Sequence, residues 1–282
     1  MAPSSIRFDD GAAYERFMGA WSRLAGAPFL DWLAAPPGWR WLDVGCGNGA
    51  FTELLVERCA PAAVHGVDPA EAQLAYARTR FAAQDAARGA SPGPPPVTAF
   101  RAGNAMALPF ADAAFDVAVM PLVIFFVPEP AVAVAEAARV VRPGGIVAAY
   151  AWDLPGDGFP YAAVEAGLRG LGVDVPAPPR PEASRADALR DLWTGAGLDA
   201  VETREITVRR TFADVDDYWA TILGGPGFGS ALAGLAAEEY AGFRARLRER
   251  LPAPDVEGRL TVSGRANAVR GRVPRRERPA AG

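Results

Sequence analysis

Apolar and polar residues alternate along the chain in two rhythms. Compact apolar runs fall at 41–44, 63–68, 97–100, 115–120 and 146–151. Each is too short for a helix and rich in β-branched or aromatic residues, so each predicts a buried strand. Between them, apolar positions repeat every three to four residues over 50–58, about 69–87 and about 130–141, the spacing of an amphipathic helix. Upstream, Tyr14, Phe17, Met18, Trp21, Leu24, Phe29, Leu30 and Leu33 predict one or two helices, with Pro28 opening the second. Downstream, helices are expected at about 162–171, 186–197, 214–223 and 231–251, an edge-type strand at 199–212 and a last strand at 260–273. Strands alternating with helices at this spacing imply a parallel, doubly wound α/β sheet with right-handed crossovers. Ligands in such sheets sit beyond the carboxyl ends of the strands.

The first strand ends in Asp43-Val44-Gly45-Cys46-Gly47-Asn48-Gly49. Glycines at such a turn permit positive φ and let the backbone approach a ligand closely. The helix behind them offers unpaired amide N–H groups. The spacing is G-x-G-x-G with Ala50 next, whereas a dinucleotide fingerprint needs G-x-G-x-x-G. Asp43 would repel a pyrophosphate and suits a ligand bearing an ammonium. The second strand also ends in an acid, Asp68, 19 residues after Gly49. That is close to the roughly 20-residue interval at which a carboxylate meets a ribose in nucleoside-binding α/β folds. The same residue, with Pro69 behind it, also fits a helix N-cap. His65 lies mid-strand and reads as a core residue.

Composition narrows the classes. The 282 residues are 50% hydrophobic, enough for a full core. No apolar run approaches the ~20 residues of a membrane span, and no secretory leader is visible, so a cytoplasmic protein is expected. Net charge is −4, which argues against nucleic acid as a partner; the arginines at 270, 272, 275, 276 and 278 read as a solvated strand end and tail. The 29 basic residues are all arginine and there is one histidine. Lysine chemistry and a histidine-rich metal site are therefore excluded, and no metal is expected. Cys46 and Cys59 are expected to be reduced.

Taken together, LDVGCGNG, VHGVDP, GNAMALPF, FDVAVM and RVVRPGG resemble the ordered motifs of class I S-adenosylmethionine-dependent methyltransferases, more narrowly the bacterial type 11 or 25. YERFMGAWSR before the sheet, and DDYWATILGG and RANAVRGRVP after it, extend the likeness to both ends. The resemblance implies a mostly parallel seven-stranded sheet with a helical substrate cover. It divides the chain into N-terminal capping helices (1–36), a cofactor-binding core (37–152) and cover helices with the last two strands (153–282). It implies that Gly45, Cys46 and Gly47 line the methionine part of S-adenosylmethionine and that Asp43 helps hold its ammonium. Asp68 would bind the ribose, with Pro69 beside the adenine. Asn104 and Ala105 would meet the adenine edge, Met120 would lie below the sulfonium, and Tyr14 would close over the carboxylate. Such proteins usually carry Asp at position 104; Asn keeps an accepting carbonyl and loses the charge.

The activity implied is direct in-line methyl transfer to a small-molecule acceptor by a monomer or homodimer. No catalytic base is assigned, and Asp153 is the best-placed acid past the fifth strand. The rival readings are an NAD-type oxidoreductase on a similar sheet and a non-catalytic cofactor-binding or regulatory protein.

Overall fold

The computed structural model describes residues 15–88, 97–173, 175–225 and 227–275. Seven strands form one sheet in the order β3-β2-β1-β4-β5-β7-β6. These are β1 (Arg40–Val44), β2 (Ala63–Asp68), β3 (Val97–Ala102), β4 (Phe115–Pro121), β5 (Val141–Trp152), β6 (Asp199–Phe212) and β7 (Leu260–Arg272). The first five pair in parallel. β7 inserts between β5 and β6 and runs antiparallel to both. The chain winds outward from β1 to β3, returns, and continues from β4 the other way. The switch point therefore lies between β1 and β4, where their carboxyl ends open a crevice.

The alternating sheet is covered by α1 (Ala20–Leu33), α2 (Ala50–Cys59), α3 (Glu71–Arg88), α4 (Pro130–Val140), α5 (Ala162–Gly170), α6 (Ala186–Gly195), α7 (Val215–Leu223), α8 (Phe228–Ala233) and α9 (Ala237–Arg250). Two expectations are corrected. Pro28 opens no second helix: a π-turn over Glu15–Gly19 leads into the single helix α1, with Pro28 inside it. An interior proline costs about 3 kcal/mol. The buried stripe Trp21, Ala25, Phe29 and Leu33, one residue per turn on both sides of Pro28, supplies more than that by burial. The stretch 231–251 is also two helices, α8 and α9, interrupted at Gly234.

α1 is anchored where the crevice begins. Gly26 lets it lie close to α2, because a Cβ there would meet Leu54 and Phe51. The Tyr150 hydroxyl on β5 donates to the Ser22 carbonyl at 3.1 Å. Trp21 Nε1 donates to the Tyr161 hydroxyl at 3.0 Å, which donates in turn to the Phe17 carbonyl at 3.0 Å. Phe17 and Tyr161 stack with centroids 4.5 Å apart, and Trp21 meets Trp152 edge-on. The segment preceding the sheet is thus fastened to the segment following β5 by a buried aromatic knot in which the Trp21 N–H and the Tyr161 hydroxyl are paired.

Candidate active site

Three cavities converge at the tip of β4. The largest, about 350 Å³, opens over the ends of β1 and β2 and is lined by Gly45, Gly47, Asp68, Pro69, Asn104 and Ala105 among others. A narrow one of about 30 Å³ continues behind the glycine turn, past Ser22, Asp43, Cys46 and Asn48. A third, of about 80 Å³, is apolar and lies under Phe17, Trp152, Phe159 and Phe228. Leu122 lines all three. Its backbone is left-handed, φ +59°, a conformation that costs a β-carbon-bearing residue roughly 1–2 kcal/mol. Its amide is held by the Tyr150 carbonyl at 2.7 Å.

The turn after β1 is built from backbone. Gly45, Gly47 and Gly49 all have positive φ. A Cβ at Gly45 would run into Val123, whereas one at Gly47 would project into open space. The Gly45 and Cys46 amides donate to the Val67 carbonyl at 2.6 and 3.1 Å, tying the turn to β2. The Gly47 amide donates to Asp68 Oδ2 at 3.0 Å, and the Ala70 amide donates to Oδ1 at 2.8 Å. Asp68 therefore caps the chain entering α3, and it also lines the large cavity. Burial pushes its carboxyl up, against the pull of those two amides.

Asp43 is fully buried. Its Oδ2 accepts from Thr52 Oγ1 at 2.6 Å, and Oδ1 has no protein partner. Burial, opposed by Thr52 and assisted by the Asp68 charge, pushes its carboxyl up to about 7. An orphaned buried carboxylate oxygen is costly, and Asp43 lines the narrow cavity. Such an arrangement asks for a cation. Above the turn, Asn48 Nδ2 donates to Glu15 Oε2 at 2.7 Å, and Arg80 donates to the same oxygen at 2.5 Å. The π-turn is thereby clamped over the glycines.

The remaining expected residues divide. Pro69 and Ala105 line the large cavity, as does Asn104, whose Oδ1 already accepts from the Met106 amide at 2.9 Å. Cys46 lines the narrow cavity, and burial pushes its thiol well up, so it is a packing thiol. Met120, expected below a sulfonium, stays inside the sheet. It is fully buried and lines none of the three cavities, because the strand is still packed on both faces there. Pro121 and Leu122, where the chain leaves the sheet, line the large and the narrow cavity instead. Met18 lines the apolar cavity with Phe17. Tyr14 lies outside the described residues. Asp153 lines none of these three cavities: Arg265 pairs with it at 2.8 Å and the Gly156 amide donates to it, so it caps a loop. Sequence reasoning missed Gln73, a buried polar residue on α3 in the large cavity, and Phe126, which lines both the large and the apolar cavity. Neither carries a motif.

Residues 42–149 match the family model described as "Methyltransferase domain". Over these residues the chain is similar to methyltransferase domains. Over 131 residues the chain is 35% identical to the ubiquinone/menaquinone biosynthesis C-methyltransferase UbiE of Ruegeria sp., covering 46% of this chain and 49% of that one. The Paracoccus denitrificans protein of the same name is 36% identical over 127 residues, 45% and 48% of the two chains. The chain thus spans about half the length of the curated relatives it matches. Solved structures share the fold: Bacillus subtilis YcgJ with a TM-score of 0.59 at 17% identity, covering 89% of this chain and 98% of that one; and Haemonchus contortus phosphoethanolamine N-methyltransferase 2 with 0.58 at 16%, covering 95% and 58%. The [4+2]-cyclase SpnF also shares it, with 0.55 at 18%, covering 98% and 88%. A methyltransferase fold therefore does not by itself dictate the reaction. Among the described residues, no helix is long and apolar enough to cross a membrane, and no cluster of three or more metal-ligating side chains occurs.

Proposed function

We propose that this chain moves a methyl group from S-adenosylmethionine to a small, largely apolar acceptor held in the cavity beneath Trp152. The observation that carries the reading is the meeting of three chemically distinct cavities at Leu122. The large one has an acid and backbone at its rim and suits a nucleoside. The narrow one has an orphaned buried carboxylate and suits an ammonium-bearing tail. The third is apolar and is open to a second molecule.

The residues present fit the cofactor. Asp43 Oδ1, without a protein partner, is a seat for its ammonium, and Gly47 leaves open the space a side chain would fill. In this reading Asp68 accepts from the ribose hydroxyls, bonds that are charge-assisted. Pro69, Asn104 and Ala105 flank the adenine, and Gly45 and Cys46 shape the methionine end. When bound, S-adenosylmethionine supplies an activated methyl carbon bearing a good leaving group. The protein's part is alignment and dryness. Pro121 and Leu122, rather than Met120, separate the donor chamber from the acceptor chamber. The knot of Trp21, Tyr161 and Phe17 closes the acceptor side to water. Holding two reactants in attack geometry can supply several kcal/mol, up to about 7–11 in model systems, so no base is required. Residues 15–36 serve as a cap over the turn, and the segments after 152 form the acceptor's walls, consistent with the three-part division expected of the chain.

Calorimetric titration with S-adenosylhomocysteine and, separately, NAD tests the reading. Binding of the former alone is expected; binding of NAD alone would overturn it. Single-turnover assays with labelled cofactor and a panel of apolar acceptors then test transfer itself against a role confined to cofactor binding.

A further inference from the structure

The apolar cavity contains one charge. Among its described lining residues every side chain is hydrocarbon, aromatic or thioether except Glu165, which α5 presents to it. The helix places it there by spacing. Val164 and Leu168 are buried against the core, Glu165 sits at the cavity edge with its side chain 21% exposed, and Arg169, one turn on and 55% exposed, touches it from the solvent side at 3.1 Å. Among the described residues, the carboxylate's hydrogen bond is to Arg169, and no other residue lining the cavity carries a charge.

A lone acid is unusual in such company. Burying a carboxylate beside aromatic rings is unfavourable, and a Gln or Met would fill the space without that cost. Ring faces present negative charge and repel a carboxylate, but they attract a cation. Phe17, Phe125, Phe126, Trp152, Phe159 and Phe228 supply rings around this cavity. Rings and carboxylate together favour one ligand class over a neutral or anionic one.

We propose that the acceptor is an apolar, ring-bearing amine whose ammonium is read by Glu165 while its ring lies against the aromatic walls. The assignment rests on the methyl-transfer reading above and specifies its substrate class. Glu165 is a specificity residue at the ligand's charged end; the atom that receives the methyl lies at the other end of the chamber, toward Leu122. Anionic acceptors are excluded by the same carboxylate.

The test is binding to the protein saturated with S-adenosylhomocysteine, followed by ligand-observed NMR for four compounds of similar shape: 4-methylbenzylamine, p-cresol, p-xylene and 4-methylbenzoate. The amine is expected to bind most tightly and the benzoate most weakly. E165Q is expected to weaken the amine about ten-fold, the size of a lost charge-assisted contact, and to leave p-xylene within about two-fold. An amine that binds no more tightly than p-xylene, or that E165Q leaves unchanged, overturns the assignment. Tighter binding of p-cresol than of the amine overturns it in favour of a neutral hydroxyl acceptor. The wild-type ranking needs no variant, so the assignment stays exposed even if E165Q does not fold. Failure to bind S-adenosylhomocysteine strikes the underlying reading; a flat ranking in protein that does bind it strikes this assignment alone.

Discussion

The chambers proposed for donor and acceptor meet at Leu122 and Phe126 and are built in opposite ways. The donor chamber is made from the ends of consecutive strands. Its contacts are amides, carbonyls and two acids, and its shape depends on positive φ at Gly45 and Gly47. The acceptor chamber is made from side chains. Phe17 precedes the sheet, Phe125 and Phe126 follow β4, Trp152 ends β5, and Phe159, Glu165 and Phe228 come from the cover. Backbone geometry restricts which residues can stand at a position, so the first chamber is chemically specified; a wall of aromatic rings accepts many substitutions that keep volume.

Disabling one chamber should therefore leave the other intact. The largest effect is expected at the donor rim. Asp68→Ala should weaken S-adenosylhomocysteine about 100-fold, or roughly 3 kcal/mol for the lost charge-assisted bonds. Circular dichroism should stay native and the affinity of the apolar cavity for p-xylene should be unchanged; unchanged cofactor affinity would remove the ribose role from Asp68. Next in size, Phe159→Ala should raise the acceptor KM about ten-fold, in line with about 1.5 kcal/mol of lost apolar contact, with cofactor affinity steady by calorimetry. A parallel loss of cofactor binding would show that the chambers are not separable.

A pH series addresses the donor side alone. Between pH about 4 and about 7 the folded chain keeps on Asp43 a proton that the unfolded chain has lost. Stability should therefore fall as pH rises through that window, by up to about 1.4 kcal/mol per unit, and level off above it. Asp68, also raised, adds in the same direction. Thermal melts of Asp43→Asn should show a shallower slope, and saturating S-adenosylhomocysteine should flatten that of the wild type, because an ammonium beside the carboxylate favours its ionised form. The smallest effect is expected from Asn104→Asp. Restoring the charge should tighten the cofactor by less than about 1 kcal/mol, because position 104 is exposed; a calorimetric loss of affinity would show that Asn104 suits this chain's ligand better.

The same contrast explains what the amino-acid sequence revealed. The glycine turn, Asp43 and Asp68 near the strand ends, and the alternation of strands with helices were legible because each answers a local demand: a tight turn, a strand end, a crossover. That Met120 would line none of the three cavities was not legible, because its run of apolar neighbours does not mark where the strand leaves the sheet, one residue later. Pro28 was misread because proline begins helices far more often than it sits inside them, and only the stripe from Trp21 to Leu33, packed on the sheet, holds the helix through it. The acceptor chamber was invisible. Phe17 and Phe228 are more than two hundred residues apart yet stand with ring centroids 5.7 Å from each other. Each alone is indistinguishable from ordinary core, and Glu165 carries no motif.

Leu122 has a consequence for how such a chain can change over generations. With its peptide turned the unusual way and bonded to Tyr150, Leu122 is a fixed landmark between the chambers, and on the proposed reading both ligands are positioned from it. Lineages that keep this landmark are free to replace the aromatic residues beyond it one at a time, acquiring new substrates without re-aiming the methyl donor.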